Sequence, residues 1–159
     1  HEALTANTTG EAAAVGYQAL YSNTTGTNNA AFGRYRPLYS NTTGSDNTAL
    51  GDRSLYSNTT GEDNTAVGMG ALYSSTTGNQ NVGLGYQALY SNTTASYNVA
   101  IGKDALYYNT TGTPNVAIGV QALANNTTAQ NNVAMGHQAL FNNTTGNDNT
   151  GIGRGALNA

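Results

Sequence analysis

The chain has 159 residues and a formal net charge of −3, and only 8% of its residues are charged. This weak negative charge and the presence of one lysine exclude the basic surface of a nucleic-acid-binding protein, so no nucleic-acid partner is predicted. The absence of cysteine excludes disulfides and thiolate metal sites. No apolar run approaches the ~20 residues of a transmembrane helix.

A seventeen-residue unit recurs along the chain, and 64–80 is one copy of it. We number its positions from the leading asparagine. Position 4 is always apolar, position 5 is always glycine, position 9 is always leucine and positions 13 and 14 are always threonine. A fixed short period indicates a solenoid, in which each repeat buries its apolar residues against its neighbours. The sequence therefore predicts one all-β domain over 1–159, a parallel β-solenoid (β-roll) of about nine coils, with partial coils at 1–10 and 149–159.

Two segments of each unit are predicted to be strands, positions 1–4 and positions 8–13, because the glycine-rich, β-branched composition is poor for helix. Side chains alternate along a strand. If the leucine at position 9 points inward, positions 11 and 13 follow it, and positions 10, 12 and 14 point outward. The predicted core therefore combines these leucines with the position-4 aliphatic residues; its members are Leu20, Leu38, Leu55, Leu72, Leu89, Leu106, Leu123, Leu140, Val67, Ile101 and Ile118.

The glycine at position 5 is predicted to form a corner, because glycine tolerates a positive φ and a site without room for Cβ. The corner glycines are Gly33, Gly51, Gly68, Gly85, Gly102, Gly119 and Gly136. The interval from Gly33 to Gly51 is eighteen residues instead of seventeen. The extra residue lies within 34–38, and it predicts a β-bulge beside Pro37.

Polar and aromatic residues also form ranks along the predicted rod. Position 10 supplies a candidate surface ladder of Tyr21, Tyr39, Tyr56, Tyr73, Tyr90 and Tyr107. Simple stacking explains this ladder, and sugar binding is the alternative. The asparagines at position 12 lie in Asn-x-Thr sequons, so they are either stacked amides or glycan acceptors, and the ladder is favoured.

No constellation of residues indicates catalysis. His137 occupies the variable position 6 and is interpreted as a solvated corner residue. Asp46, Asp63 and Asp148 precede the leading asparagine, where turn formation explains them better than metal binding does. The sequence predicts neither an enzyme, nor a metal site, nor a cofactor.

The pattern Asn-x-Ala-aliphatic-Gly-x-x-Ala-Leu, as in 115–123, resembles the head repeats of trimeric autotransporter adhesins. It is similar also to the Asn-Thr-Ala/Asn-Thr-Thr-Gly repeats of bacterial and phage tail-fibre-like proteins. The resemblance covers essentially the whole chain, although this unit is longer by its Tyr-Ser-Asn-Thr-Thr section. It implies parallel β-rolls, trimerisation and attachment at a cell surface.

Three functions are compatible with these features. The favoured hypothesis is a structural extracellular fibre or biofilm-matrix protein whose subunits stack end to end into filaments. Its end-to-end interface is predicted at Leu4 and Leu157, because neither terminal coil carries the polar cap that blunts a solenoid. The alternative is a trimeric adhesin head or tail-fibre shaft that binds surface glycans. Ice binding is the least favoured, because only one threonine of each adjacent pair should face outward. The predicted location is extracellular or at the cell surface.

Overall fold

The computed structural model describes residues 2–158, so His1 and Ala159 of the predicted partial coils lie outside the described residues. Within this range the chain forms nine strands and no helix. The strands are parallel and follow one another in a single sheet, which makes about eight turns of a β-solenoid and confirms the predicted fold class. They are β1 (Ala12–Tyr17), β2 (Asn29–Tyr35), β3 (Thr48–Leu50), β4 (Thr65–Val67), β5 (Val82–Leu84), β6 (Val99–Ile101), β7 (Asn115–Ile118), β8 (Asn132–Met135) and β9 (Thr150–Ile152).

Each strand pairs with the equivalent positions of the next coil. Thr65 lies opposite Val82, and Val67 lies opposite Leu84. The period of the sequence therefore sets the register, because like residues stack on like residues at the ordinary inter-strand spacing of ~4.8 Å.

The predicted bulge is confirmed in β2. Val15 pairs with Phe32, but the next pair is Tyr17 with Tyr35, so β2 has one residue more than β1 over this stretch. The extra residue thus lies at 33–34, three or four residues before Pro37.

The second predicted strand, at positions 8–13, was wrong, because these residues form turns and bends. The leucine at position 9 has a φ between 49° and 55° in all ten places. An extended strand needs a negative φ, so a left-handed residue ends it. The turns nevertheless stack: Leu72 N donates to Ala88 O at 2.9 Å, and Ser74 N donates to Tyr90 O at 3.0 Å. Each coil therefore consists of one strand and a run of stacked turns.

Leucine and alanine fill the interior. The predicted core leucines are fully buried from Leu20 to Leu123, and Leu140 is 3% exposed. The alanines of positions 3 and 8, such as Ala66 and Ala71, are also fully buried. One narrow apolar column therefore runs through the described coils.

The position-4 residues Val67, Ile101 and Ile118 were wrongly predicted to lie in this core, because all three are partly exposed. Neighbouring strand residues face opposite sides, so the buried alanine at position 3 leaves positions 2 and 4 on the outer face. The interior has room there only for a small side chain. A Cβ added to Gly83, at position 3, would already lie 3.4 Å from Leu72 Cγ.

Two ranks of asparagine lie inside the coil, which corrects the outward placement predicted for position 12. Asn41 and Asn58 at that position are fully buried, as is Asn64 at position 1. Asn58 Nδ2 donates to Asn41 Oδ1 at 2.8 Å and to Gly61 O at 3.0 Å. Such pairing satisfies polar groups that would be costly to bury alone. The stacked-amide interpretation therefore holds for these two asparagines, which no solvent reaches.

The replacement of asparagine by Ser75 interrupts the ladder at position 12. Ser75 Oγ and Asn58 Oδ1 are both buried without a hydrogen-bond partner. We expect Ser75→Asn to raise the free energy of unfolding by about 1–2 kcal/mol, because an unsatisfied buried polar group costs ~1–3 kcal/mol. Urea denaturation followed by circular dichroism measures the change.

The matched control is Ser74→Asn, at a partly exposed neighbouring position. It should change the free energy of unfolding by no more than about 0.5 kcal/mol, as surface substitutions usually do. Equal stabilisation by both variants would contradict the proposed repair of the ladder.

Candidate functional surfaces

The corner glycines lie where the backbones of neighbouring coils come very close to each other. Gly51, Gly68, Gly85, Gly102, Gly119 and Gly136 have φ values between 127° and 136°, whereas Gly33, next to the bulge, is not among the positive-φ residues. The carbonyl oxygens of the next corner lie so near that a Cβ at Gly102 would be 2.5 Å from Gly119 O. These residues therefore have a structural role: they keep equivalent residues of successive coils aligned on both sides of the corner.

The predicted tyrosine ladder is one continuous stack. Its members, Tyr21, Tyr39, Tyr56, Tyr73, Tyr90 and Tyr107, have neighbouring ring centroids 5.0–5.3 Å apart and are all partly exposed. Burial raises the pKa of the Tyr107 phenol above its ordinary value, because desolvation disfavours the phenolate. Stacked aromatic pairs contribute ~0.5–1.5 kcal/mol each beyond burial. The ladder therefore stabilises the rod without needing a ligand.

The outer face of the sheet carries two uncharged and mainly apolar ranks that the sequence reasoning missed. Position 4 supplies Val15, Phe32, Leu50, Val67, Leu84, Ile101, Ile118, Met135 and Ile152, and position 2 supplies Ala13, Ala30, Thr48, Thr65, Val82, Val99, Val116, Val133 and Thr150. Six of the position-4 residues are at least 37% exposed, and Ile152 reaches 69%. None of these eighteen residues is charged. The signal was present in the alternation itself: buried residues at positions 1 and 3 require positions 2 and 4 to face outward.

A groove of about 400 Å³ opens beside the tyrosine ladder at Gly70. Its walls include four tyrosines, Tyr35, Tyr73, Tyr86 and Tyr90, and two arginines, Arg34 and Arg53. Arg34 Nη2 lies 3.1 Å from Asp52 Oδ2. The Arg53 guanidinium carbon lies 5.3 Å from the centroid of the Tyr35 ring. The groove therefore combines aromatic faces with a charged edge, and sequence reasoning did not find it because its residues come from different coils.

The paired threonines present one fully exposed rank. Thr94, at position 14, is exposed, whereas Thr93 is partly exposed and its Oγ1 donates to Thr110 O at 3.1 Å. The same bond recurs in other coils, as from Thr59 to Thr76. Ice binding by a β-solenoid would need two exposed rows of threonine on one face, and the threonine pairs supply only one such row.

The acidic residues that were interpreted as turn formers adopt turn conformations. Asp46, Asp63 and Asp148 have φ values of 57–59°. Among residues 2–158, no group of three or more His, Cys, Asp or Glu side chains could hold a metal ion. His137 is exposed at its corner. The same residues include no helix long and apolar enough to span a bilayer.

Comparison of the chain with protein-family models, with curated proteins and with solved structures finds no match. The class of the protein therefore rests on its fold. Nine parallel strands, one from each repeat, make it a β-solenoid repeat protein. The resemblance to adhesin heads and tail-fibre-like repeats stays a prediction.

Proposed function

We propose that this protein is a structural fibre protein, located outside the cell or at its surface, that assembles with copies of itself. The observation that carries this proposal is the outer face of the sheet. Two rows of uncharged side chains, from positions 2 and 4, run side by side across all nine strands of this face. A contiguous, mainly apolar surface of this kind lies near the upper limit of what monomeric proteins expose, and such a patch often marks an interaction site.

The dimensions of this face suit a second copy of the same chain. Nine strands about 4.8 Å apart make it roughly 40 Å long, and two outward ranks make it roughly 12 Å wide. Its area of roughly 500 Å² equals that of the largest apolar patches on typical monomers. Pairing two such faces would bury on the order of 1,000 Å² in total, close to the lower limit for a specific interface. A copy of the chain matches the length and the repeat of the face, as a smaller ligand does not.

End-to-end stacking is the second element of the proposal. Leu157 is 58% exposed, whereas its equivalents from Leu20 to Leu140 are buried. Neighbouring coils inside the rod are joined by backbone hydrogen bonds; Leu140 N, for example, donates to Ala156 O at 2.8 Å. The coil around Leu4 of another copy has the same leucine and the same backbone conformation as Leu157, so it would offer matching groups. Filaments would then grow along the solenoid axis.

We expect Leu84→Lys combined with Met135→Lys to abolish face-to-face pairing and so to lower the mass of the assembly, because two lysines would have to lose water inside an apolar interface. End-to-end stacking should persist in this variant, because it does not involve the sheet face. Both residues lie outward on the sheet and are 42% and 37% exposed, so the fold should tolerate the change. Analytical ultracentrifugation at several concentrations measures the mass and distinguishes dimers from trimers.

The matched control is Thr77→Lys combined with Thr128→Lys, at exposed sites away from the sheet face. This control should keep the wild-type mass, because it adds the same charge elsewhere. Negative-stain images of the same samples show whether the assemblies exceed one rod in length, as stacking requires. A wild-type protein that stays monomeric at high concentration would overturn the proposal.

A further inference from the structure

The Gly70 groove, defined by the wall residues given above, arises from one change in the repeat. Position 7 carries a long or charged polar side chain in the coils from Gln18 to Gln138, and Gly70 alone lacks one. The residues before and after it in this rank are Arg53 and Gln87. The missing side chain leaves space between them, and the groove of about 400 Å³ lies there.

The walls of the groove offer several aromatic faces. Tyr73 and Tyr90 belong to the continuous stack, with ring centroids 5.0 Å apart. Tyr35 lies on one side, and Tyr86, which is 42% exposed, lies on the other. Aromatic rings beside a groove suit the apolar faces of sugar rings. Tyrosine side chains are rigid, so they lose little conformational entropy when a sugar packs against them.

The charge of the groove is positive. Its walls contain two of the five basic residues of a chain of net charge −3, Arg34 and Arg53, and one acidic residue, Asp52. Asp52 is already engaged, because its carboxylate pairs with Arg34 and accepts a hydrogen bond from Tyr35 N at 3.0 Å. Arg53 is exposed and has no carboxylate within 4.0 Å among the described residues. Its planar guanidinium is therefore available to bind a carboxylate in a bidentate manner.

We propose that the Gly70 groove binds an acidic saccharide, specifically a chain of hexuronic acid units. The tyrosines would contact the faces of the sugar rings, Arg53 would pair with a sugar carboxylate, and the Gln87 amide would bond to hydroxyls. This site goes beyond the proposed assembly, because the groove lies at the corner and the tyrosine ladder, not on the outer ranks of the sheet. A structural fibre with such a groove would also hold an acidic polysaccharide.

Isothermal titration with tetragalacturonic acid tests the proposal, and its fully methyl-esterified form serves as the uncharged probe. We expect saturable binding of the acid by the wild-type protein and at least tenfold weaker binding of the ester. Gly70→Gln should abolish binding by filling the groove. This variant should fold, because Gln87 has the same left-handed φ (54° against 68°) and a Cβ at Gly70 comes no closer than 3.4 Å to other side chains.

Arg53→Gln should weaken binding of the acid at least tenfold, and the control Arg154→Gln should leave it unchanged. Both remove one exposed arginine, but Arg154 lies far along the rod from the groove. The absence of binding to the wild-type protein at millimolar probe would overturn the proposal. Equal binding by Gly70→Gln, or an equal loss in Arg154→Gln, would also overturn it, since either result would mean non-specific attraction. Sedimentation of the same variants separates this outcome from the assembly proposal, because Gly70→Gln should assemble as the wild type does.

Discussion

Gly102→Ala is expected to lower the free energy of unfolding by at least about 3 kcal/mol, the upper part of the range for a strained backbone. Gly102 has a φ of 129°, and a Cβ added there would lie 2.5 Å from Gly119 O and 2.6 Å from Gly119 C. The next coil cannot move away without weakening the bond from Gly119 N to Ile101 O, which is 2.7 Å long. Urea denaturation followed by circular dichroism measures the loss.

Gly70→Ala provides the matched control, because it makes the same change at another glycine with a positive φ. At Gly70 the φ is 68°, which is the left-handed region that Gln87 already adopts, and the nearest atom to an added Cβ is 3.4 Å away. We expect a loss of only about 1–2 kcal/mol, since only the cost of a left-handed alanine applies. Similar losses in both variants would mean that backbone contact between corners is not the cause.

Leu89→Ala is expected to destabilise the fold by about 2–5 kcal/mol, as large-to-small substitutions in a packed core do. Leu89 is fully buried, and Leu72 and Leu106 of the adjoining coils are buried in the same column. The resulting cavity could close only if the coils shifted, and their backbone hydrogen bonds resist that movement. Leu89 N, for example, donates to Ala105 O at 3.0 Å. The midpoint of urea denaturation measures the effect.

Leu84→Ala is the control for this experiment, because it removes the same atoms from the outer face. Leu84 is 42% exposed at position 4. We expect a loss of under about 1 kcal/mol in a monomeric sample, in the usual range for surface positions. If Leu84→Ala were the worse variant, the inward and outward faces of the strand would be exchanged.

The repeat pattern by itself predicted the solenoid, its register and the bulge. A period of seventeen residues brings equivalent residues opposite each other, as Thr65 and Val82 are. An insertion such as the one at 34–38 then has to be taken up locally, because the coils after it resume the same phase. The leucine of position 9 could also be assigned inward, since it is the one large apolar side chain that never varies and burial of such a side chain is favourable by ~1.5–3 kcal/mol.

Only the tertiary structure decided which other residues join the leucines inside. The sequence pattern favoured Val67 for the core because position 4 is always apolar, but the interior of a coil this narrow accepts Ala66 instead. The asparagines of position 12, such as Asn58, were assigned outward from an alternation that applies to extended strands. The left-handed φ of Leu55 ends that alternation and turns Asn58 into the interior.

The candidate surfaces were likewise decided by tertiary structure. The apolar face exists because the interior accepts alanine at position 3, which leaves positions 2 and 4 of nine strands on one side. The Gly70 groove exists because stacking brings Arg53 and Gln87, thirty-four residues apart in the chain, to either side of a residue without a side chain. A repeat shows which residues are equivalent, but the width of the coil and the backbone conformation at its turns determine the direction in which each one faces.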